Sequence, residues 1–360
     1  MPDPTLRYAP TVRPVPRLSV VMSTYNRGAL LAGAVHSVLR QRECSVDFEV
    51  IVVDNNSTDG TRAIVAELAG TDPRLRYVFE PRQGLSHARN AGIRNARADL
   101  IAFTDDDVRA EPDWVDSIVR AFDAHTDVDA VGGRVLPAWP APPPPWLTSD
   151  HWAPLAIVDY GDQPIAITAD RPLCLLGANF AFRREVFDAV GLFATDFQRV
   201  KDRIGSLEDH DFMLRLWRAG RKAVYDPRVT IRAEIQPNRL ERAYHRRWHR
   251  GHGHFHALLR SPEMEQTRVG TFLGVPAHLY RQAWGDAVGW VGALVAGRPA
   301  RRFHHEVRLR FFVGFLFTRV GEFLKGRLTP RRERSHVPRT SARRPLPSAT
   351  SGSSLGQIGR

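Results

Sequence analysis

The chain has 360 residues, 43% of them hydrophobic and 25% charged, which excludes a disordered or fibrous protein and fits one large domain or a domain with an extension. Its two cysteines, Cys44 and Cys174, belong to no CxxC pair, which argues against a disulfide framework or zinc ribbon and for buried free thiols in a reducing compartment. The net charge of +12 comes from two segments, residues 239–260 with six arginines against one glutamate and residues 327–360 with eight against one, so the remainder is formally neutral and nucleic acid is not expected as a partner.

Such local basic segments suit an anionic contact: lipid headgroups, a phosphorylated acceptor or a diphosphate. Solubility alone is the plainer reading. Residues 1–17 carry five prolines and no apolar core of a signal peptide. The longest apolar stretches, 287–297 and 311–317, fall short of the roughly 20 residues a spanning helix needs. The expected location is cytoplasmic, with peripheral contact at the inner face of a membrane as its extension.

From residue 18 to about 134 the pattern alternates strand and helix. Strands are expected at 18–22, 48–53, 76–79 and 100–104, with helices at 28–40, 61–69 and 85–96. Pro112 suits the N-terminal end of a further helix. Continuous apolar strands between helices predict an α/β fold with a mostly parallel sheet covered on both faces. Ligands bind such sheets beyond the carboxyl ends of the strands. Three of those ends are polar: Ser23-Thr24-Tyr25-Asn26, Asp54-Asn55-Asn56 and Asp105-Asp106-Asp107. A proline-rich loop over 137–146 is flanked by Trp139 and Trp146, which suggests that it packs on the body. Beyond it, 177–191 reads as strand then helix and 208–220 as a helix. Residues 239–259 read as a basic helix broken near Gly251 and Gly253, 271–325 as largely helical, and 329 onward as disordered.

Three consecutive carboxylates at a strand end repel one another. A solvated turn is the cheap explanation, and a hard cation bridging to phosphate oxygens is the functional one. In an extended segment alternate side chains share a face, so Asp105 and Asp107 are expected in one site and Asp106 elsewhere. Glu208-Asp209 opens an amphipathic helix, where acidic residues are favoured by the helix dipole alone. His245 and His249, four apart, could form a zinc pair, but no carboxylate or cysteine completes the set, and a basic contact surface is preferred.

Six segments together resemble the family 2 glycosyltransferases. They are Ser19-Val20-Val21-Met22-Ser23-Thr24-Tyr25-Asn26-Arg27, Val52-Val53-Asp54-Asn55-Asn56-Ser57-Thr58-Asp59-Gly60, Gly84-Leu85-Ser86-His87-Ala88-Arg89-Asn90, Phe103-Thr104-Asp105-Asp106-Asp107, Gly177-Ala178-Asn179-Phe180 and Glu208-Asp209. The resemblance runs from about residue 18 to 220. It implies a GT-A fold, a Rossmann-like mixed sheet flanked by helices, with a helical C-terminal extension.

The implied organisation is a flexible N-terminus over 1–17 and a catalytic domain over 18–238. That domain divides into a nucleotide-binding half, 18–134, and an acceptor half, 135–238. A basic helical extension over 239–326 and a disordered basic tail over 327–360 follow. The implied activity is metal-dependent, inverting, non-processive transfer of one sugar from a nucleoside diphosphate donor. UDP is the expected carrier, and the acceptor is the hydroxyl of a glycan or lipid-linked molecule.

By position, Thr24, Tyr25, Asn26 and Arg27 would line the nucleotide pocket with Asp54, Asn56, Arg89, Asp105 and Asp106. Asp54 would accept from a base N–H, or else close a turn with Asn56. Asp105 and Asp107 would hold Mn2+ or Mg2+. Asp209 would be the general base, and Gly177, Asn179 and Glu208 would face the acceptor. Gln236-Pro237-Asn238-Arg239-Leu240 resembles the QxxRW motif of processive synthases with leucine for tryptophan, which leaves Arg239 as a diphosphate contact. Family members often carry a histidine just before this arginine. Ile231-Arg232-Ala233-Glu234-Ile235 has none, so the third metal ligand falls to water, Glu234 or a later histidine.

Two other readings stand beside this one. A nucleotidyltransferase shares the sheet and the acidic site, but Ser23 to Arg27 is no Gly-rich phosphate loop. A non-catalytic sugar- or nucleotide-binding scaffold would not need Asp105, Asp107 and Asp209 together. The aromatic, arginine-rich stretch 301–324 could lie on an anionic bilayer or pack on the catalytic domain, and packing is preferred.

Overall fold

The computed structural model describes residues 15–42, 44–196, 207–265 and 270–328. The expected flexible N-terminus lies largely outside these residues, and so does the basic tail apart from its first two residues.

The first half alternates as the sequence predicts: β1 (Leu18–Thr24), α1 (Gly28–Leu39), β2 (Phe48–Asp54), α2 (Thr61–Thr71), β3 (Leu75–Phe79), α3 (Leu85–Asn95) and β4 (Leu100–Asp105). Then come β5 (Val108–Ala110), α4 (Trp114–Ala124), β6 (Ala130–Ala138), β7 (Ile165–Ile167), β8 (Phe180–Arg183), α5 (Glu185–Val190), α6 (Glu208–Arg218) and β9 (Ala223–Glu234). All nine strands join one mixed sheet of order β3-β2-β1-β4-β8-β6-β9-β5, with β7 also on β9. β1, β2, β3 and β4 are parallel, while β8 runs antiparallel between β4 and β6.

Every residue of β1 and β2 is buried, so both faces of these strands must be covered. Alternate side chains feed two cores. Val20, Met22, Val50 and Val52 pack with α1 and α4, whereas Val21, Ile51, Val53 and Phe103 pack with α3 and α6. Gly92 lets α3 sit directly on β1, because a Cβ there would overlap Val21. Arg89, one turn earlier, is thereby held low over the sheet.

The strands of this sheet that sequence patterning missed are β5, β6, β7 and β9. β9 bulges at Asp226-Pro227-Arg228, where the pairing shifts from Gly132 with Tyr225 to Arg134 with Thr230. Proline fits a strand only at such a break, so Pro227 masks a twelve-residue strand. β6 runs through residues 134 and 135, so the sheet is continuous across the expected division between halves. It also takes up Pro137 and Ala138 from the start of the proline-rich loop. The flanking Trp139 and Trp146 lie against the core as expected, and Trp146 meets Phe303 edge-on at 4.8 Å, while residues 140–143 between them are exposed. Cys44 and Cys174 are free and half-buried.

The extension comprises α7 (Arg242–Leu259), α8 (Pro262–Glu265), β10 (Thr271–Phe272), β11 (Val275–Pro276), α9 (Ala277–Val295) and α10 (Pro299–Leu328). The expected break near Gly251 and Gly253 does not occur, and α7 is continuous. Gly253 is instead a contact: a Cβ there would overlap the Phe311 carbonyl, and one at Gly314 would overlap the Arg250 carbonyl. The two glycines let α7 and α10 approach backbone to backbone. Phe303 and Phe315 are buried, so much of the aromatic content of α10 is packed, as preferred from the sequence. Among the described residues no helix is long and apolar enough to cross a membrane.

Candidate active site

Parallel pairing in register brings the polar strand ends together. Thr24 is opposite Asp54, and Ser23 is opposite Asp105. Neighbouring strands lie about 4.8 Å apart, so the ends of β2, β1 and β4 form one ledge.

On the β2 side, Asn26 has a left-handed backbone with φ 51°. Its N–H donates to Ser57 Oγ at 3.0 Å, and its Oδ1 accepts from the Thr58 N–H at 2.7 Å. The Gly28 N–H donates to Asp59 Oδ2 at 3.2 Å. These bonds fasten the turn after β1 to the loop after β2, and Tyr25 is half-exposed beside them. The Asp54 carboxylate is buried and accepts from the Ser57 N–H at 2.9 Å and the Tyr77 hydroxyl at 2.8 Å. Burial and the hydrogen bond to Asp54 push the Tyr77 hydroxyl up to about 12.

Asn56 is exposed, with φ 61°. It is the turn residue of this loop, the alternative weighed for it. The organising amide is Asn55. Its Nδ2 donates to the Arg82 carbonyl at 2.7 Å and its Oδ1 accepts from the Gly84 N–H at 2.7 Å, fixing the loop that leads into α3. Sequence reasoning missed this role, although Asn55 stands inside the motif it used.

The acidic cluster departs from the expected geometry. The strand ends at Asp105, and Asp106 and Asp107 form a turn. The two-residue period therefore lapses, and Asp106 does not point away from Asp107. One Arg27 nitrogen donates to Asp106 Oδ1 at 3.0 Å and to Asp107 Oδ2 at 2.7 Å. Asp106 also accepts from the Thr24 hydroxyl at 2.7 Å, and Asp107 Oδ2 accepts from Arg239 at 3.0 Å. Burial, opposed by Arg27 and reinforced by Asp107, pushes Asp106 up to about 6. Asp105 is half-buried.

Among the described residues no group of three or more His, Cys, Asp or Glu could hold a metal ion. Glu234 pairs with Arg109 at 2.7 Å and sends only its backbone N–H to the Asp107 carbonyl, at 2.7 Å. His245 lies against the Arg239 carbonyl at 3.0 Å. With only Asp105 and Asp107 to offer, and one Asp107 oxygen already shared by Arg27 and Arg239, a cation here would have to complete its shell with water and phosphate oxygens.

A second cluster forms around Arg89. This buried guanidinium lies 5.6 Å from the Phe180 ring centroid and 5.3 Å from that of Phe193. It donates to Asp209, and to Glu208 at 3.5 Å. The Gly177 N–H donates to the other Asp209 oxygen at 2.9 Å. Burial opposes the Arg89 charge, while Asp209, Glu208 and Asp105 hold it on, so Asp105 lies within electrostatic reach. The Asp209 side chain keeps 22% of its surface exposed and that of Glu208 keeps 4%, so Asp209 is the one that solvent or substrate can reach. A Cβ at Gly177 would overlap the Arg89 guanidinium and the Asp209 carboxylate, so a larger residue there would displace that pair.

Asn179 has another task. Its Oδ1 accepts from the Trp114 indole at 2.8 Å, and its Nδ2 donates to the carbonyls of Arg134 at 2.7 Å and Val229 at 2.8 Å. Both amide hydrogens are thus engaged by backbone carbonyls in this structure. Of the two histidines weighed as a zinc pair, His245 lies against the Arg239 carbonyl and His249 meets the Trp248 ring edge-on at 5.0 Å, while His252 stacks on Trp248 at 4.3 Å and meets His256 at 3.1 Å.

The family model for Glycosyl transferase family 2 matches residues 19–191. A glucosyl-dolichyl phosphate glucuronosyltransferase of Haloferax volcanii is 27% identical over 229 residues, covering 62% of this chain and 71% of its own length. A validoxylamine A glucosyltransferase of Streptomyces hygroscopicus is 41% identical over 155 residues, covering 42% of this chain and 36% of its own, so the chain spans about a third of that relative. Among solved structures, a mannosyltransferase of Pyrobaculum calidifontis in complex with GDP-Man and Mn2+ aligns over 90% of this chain and 89% of its own. The TM-score is 0.55 at 23% identity, a likeness of fold.

Proposed function

The chain belongs to glycosyl transferase family 2 through residues 19–191, it is a glycosyltransferase of GT-A fold, and on that footing we propose that it moves one sugar from a nucleoside diphosphate donor to a hydroxyl acceptor with inversion. The single observation that carries the reading is the joining of two carboxylate centres. Asp105 and Asp107 end the ledge, and Asp209 is held beside it by Arg89 and the Gly177 amide.

In this proposal the nucleotide lies along Thr24, Tyr25, Asn26 and Arg27, with the base toward Asp54. Asp105 and Asp107 hold Mn2+ or Mg2+, which when bound neutralises charge on the diphosphate. Asp209 takes the proton of the acceptor hydroxyl. The acceptor oxygen forms its bond to the anomeric carbon as the bond to the diphosphate oxygen breaks, and that electron pair leaves with the diphosphate. Arg239 and Arg27, already at Asp107, add positive charge on the leaving-group side. Glu208 shares Arg89 with Asp209 and keeps that cation in place.

UDP remains the expected carrier, because Asp54 offers acceptors to a ring N–H. A glycan or lipid-linked acceptor, and a cytoplasmic setting at the inner face of a membrane, belong to the same proposal.

The test is nucleoside diphosphate release from a panel of UDP- and GDP-sugars, with Mn2+, with Mg2+ and with chelator. Release should require the divalent ion. Asp209→Asn should lower kcat by roughly a hundredfold to ten-thousandfold, the usual worth of a general base. Asp107→Ala should abolish the response to metal. Turnover indifferent to metal and to both substitutions would sink the reading.

A further inference from the structure

From the sequence, residues 301–324 on α10 read as bilayer-facing or packed, with packing preferred; although Phe317 and Leu324 of α10 are exposed, the longer exposed apolar stripe belongs to α9. Its inner side is fastened to α10. Asp286 accepts from Arg308 at 2.9 Å and contacts His305 at 2.9 Å, Gly289 abuts the His305 ring, and Leu279 and Ala293 are buried. The opposite side shows Trp284, Val288, Val291 and Val295 at helical spacing, with Trp284 74% exposed and Val295 83%. These four lie within about 60° of one another on the helix and extend over about 16 Å. Tyr280, one turn before Trp284, continues the stripe to exposed Phe272 on the β10–β11 hairpin, their rings 5.9 Å apart.

Charge decides what covers this face. Exposed Arg281 stands at one end, and exposed Arg298 and Arg301 stand just beyond the other. The sole acid between residues 277 and 301 is Asp286, buried on the far side. A second copy of the chain is a poor occupant. Paired antiparallel, it would set Arg281 against Arg298, and paired parallel it would set each arginine against its own copy, with no exposed acid on the face to meet them. A bilayer with anionic headgroups answers both features, taking the apolar stripe into its boundary and the arginines at its surface. The arginine-rich residues 327–360 add charge of the same sign.

We propose that the outer face of α9, from Phe272 and Tyr280 to Val295 and flanked by Arg281, Arg298 and Arg301, is the surface on which this protein lies in the plane of an anionic bilayer. The binding is peripheral, since no helix of the described residues could cross. The proposal deepens the acceptor side of the proposed function, and its test reads membrane contact without any turnover, so the two can fail separately.

The experiment is sedimentation of the full chain with phosphatidylcholine vesicles and with mixed phosphatidylcholine and phosphatidylglycerol vesicles. Light scattering would be run on the same samples. The wild type should pellet with the anionic vesicles only, and less so at high salt. Val288→Glu with Val291→Glu should weaken binding by about tenfold or more. Arg298→Gln and Arg301→Gln should each weaken it by about fivefold, the effect of about 1 kcal/mol per surface arginine. None of these positions belongs to the site around Asp107 and Asp209, and thermal unfolding unchanged from the wild type reports that the variants are folded. A wild type that stays in solution overturns the proposal. So does a glutamate pair that pellets as well as wild type, because the basic tail would then suffice. A wild-type dimer that the glutamate pair dissociates assigns the face to a second copy instead.

Discussion

Arg89 carries the most structural consequence of any single side chain in the site. It is buried, it reaches both Glu208 and Asp209, and it packs on two phenylalanines. Removing one partner of a buried ion pair costs about 3–5 kcal/mol, because the remaining charge loses its compensation. Arg89→Met is therefore expected to cost about that much in urea unfolding and to abolish turnover. Arg89→Lys keeps the charge but loses the planar fork, so it should retain most of the stability while kcat falls, because Asp209 is no longer held. Equal losses of stability in the two variants would show that Arg89 serves the fold alone. The sequence marked Arg89, Asp209 and Gly177 as site residues and placed Arg89 near the nucleotide; its pairing with Asp209 was not legible, because a linear motif cannot say that side chains of α3 and α6 meet. The sequence placed Asp106 on the wrong face, because a run of three aspartates does not reveal where the strand turns.

At the scale of elements the glycines separate packing from flexibility. Gly253 and Gly314 permit the close crossing of α7 and α10, while the space around Gly292 on α9 is open. Gly253→Ala should destabilise by about 1–3 kcal/mol through forced separation of the helices. Gly292→Ala should stabilise by up to about 1 kcal/mol through helix propensity. Thermal unfolding of both variants checks the contrast, and a stabilising Gly253→Ala would contradict the contact. From sequence alone Gly253 looked like a breaker, since a glycine in a helix reads the same whether it bends the chain or admits a neighbour. β1, β2 and β4 were legible because they are buried on both faces and therefore mostly apolar. β6 and β9 were not, because Pro137 and Pro227 interrupt them and their partners lie far apart in the chain.

For the whole molecule, the join between the catalytic sheet and the helical extension is aromatic and histidine-rich. Trp146 packs between His151, His245 and Phe303, and both histidines are buried. Burial pushes each of them down to about 4 from an ordinary 6.5. A neutral histidine whose folded value is depressed adds stability that is complete above the unfolded value and is lost as pH falls toward the folded one. The join should therefore weaken between about pH 6.5 and 4, by of order 1 kcal/mol per pH unit for each histidine. Urea unfolding across this range should show the slope, and His151→Gln should reduce it by the share of one histidine. A stability that is level from pH 7 to 5 would contradict the prediction.

The sequence by itself determined the parallel half of the sheet, the six motifs and the concentration of charge in two segments. All of these follow from local composition, burial on two faces and short-range spacing. Only the tertiary structure decided that Asp106 shares Arg27 with Asp107, that Arg89 pairs with Asp209, that Asn179 bonds two backbone carbonyls, and that α9 carries the longer exposed apolar stripe. Each depends on which distant segment lies opposite, and a one-dimensional pattern leaves that open because the same side chain serves a core, an ion pair or a surface according to its neighbour.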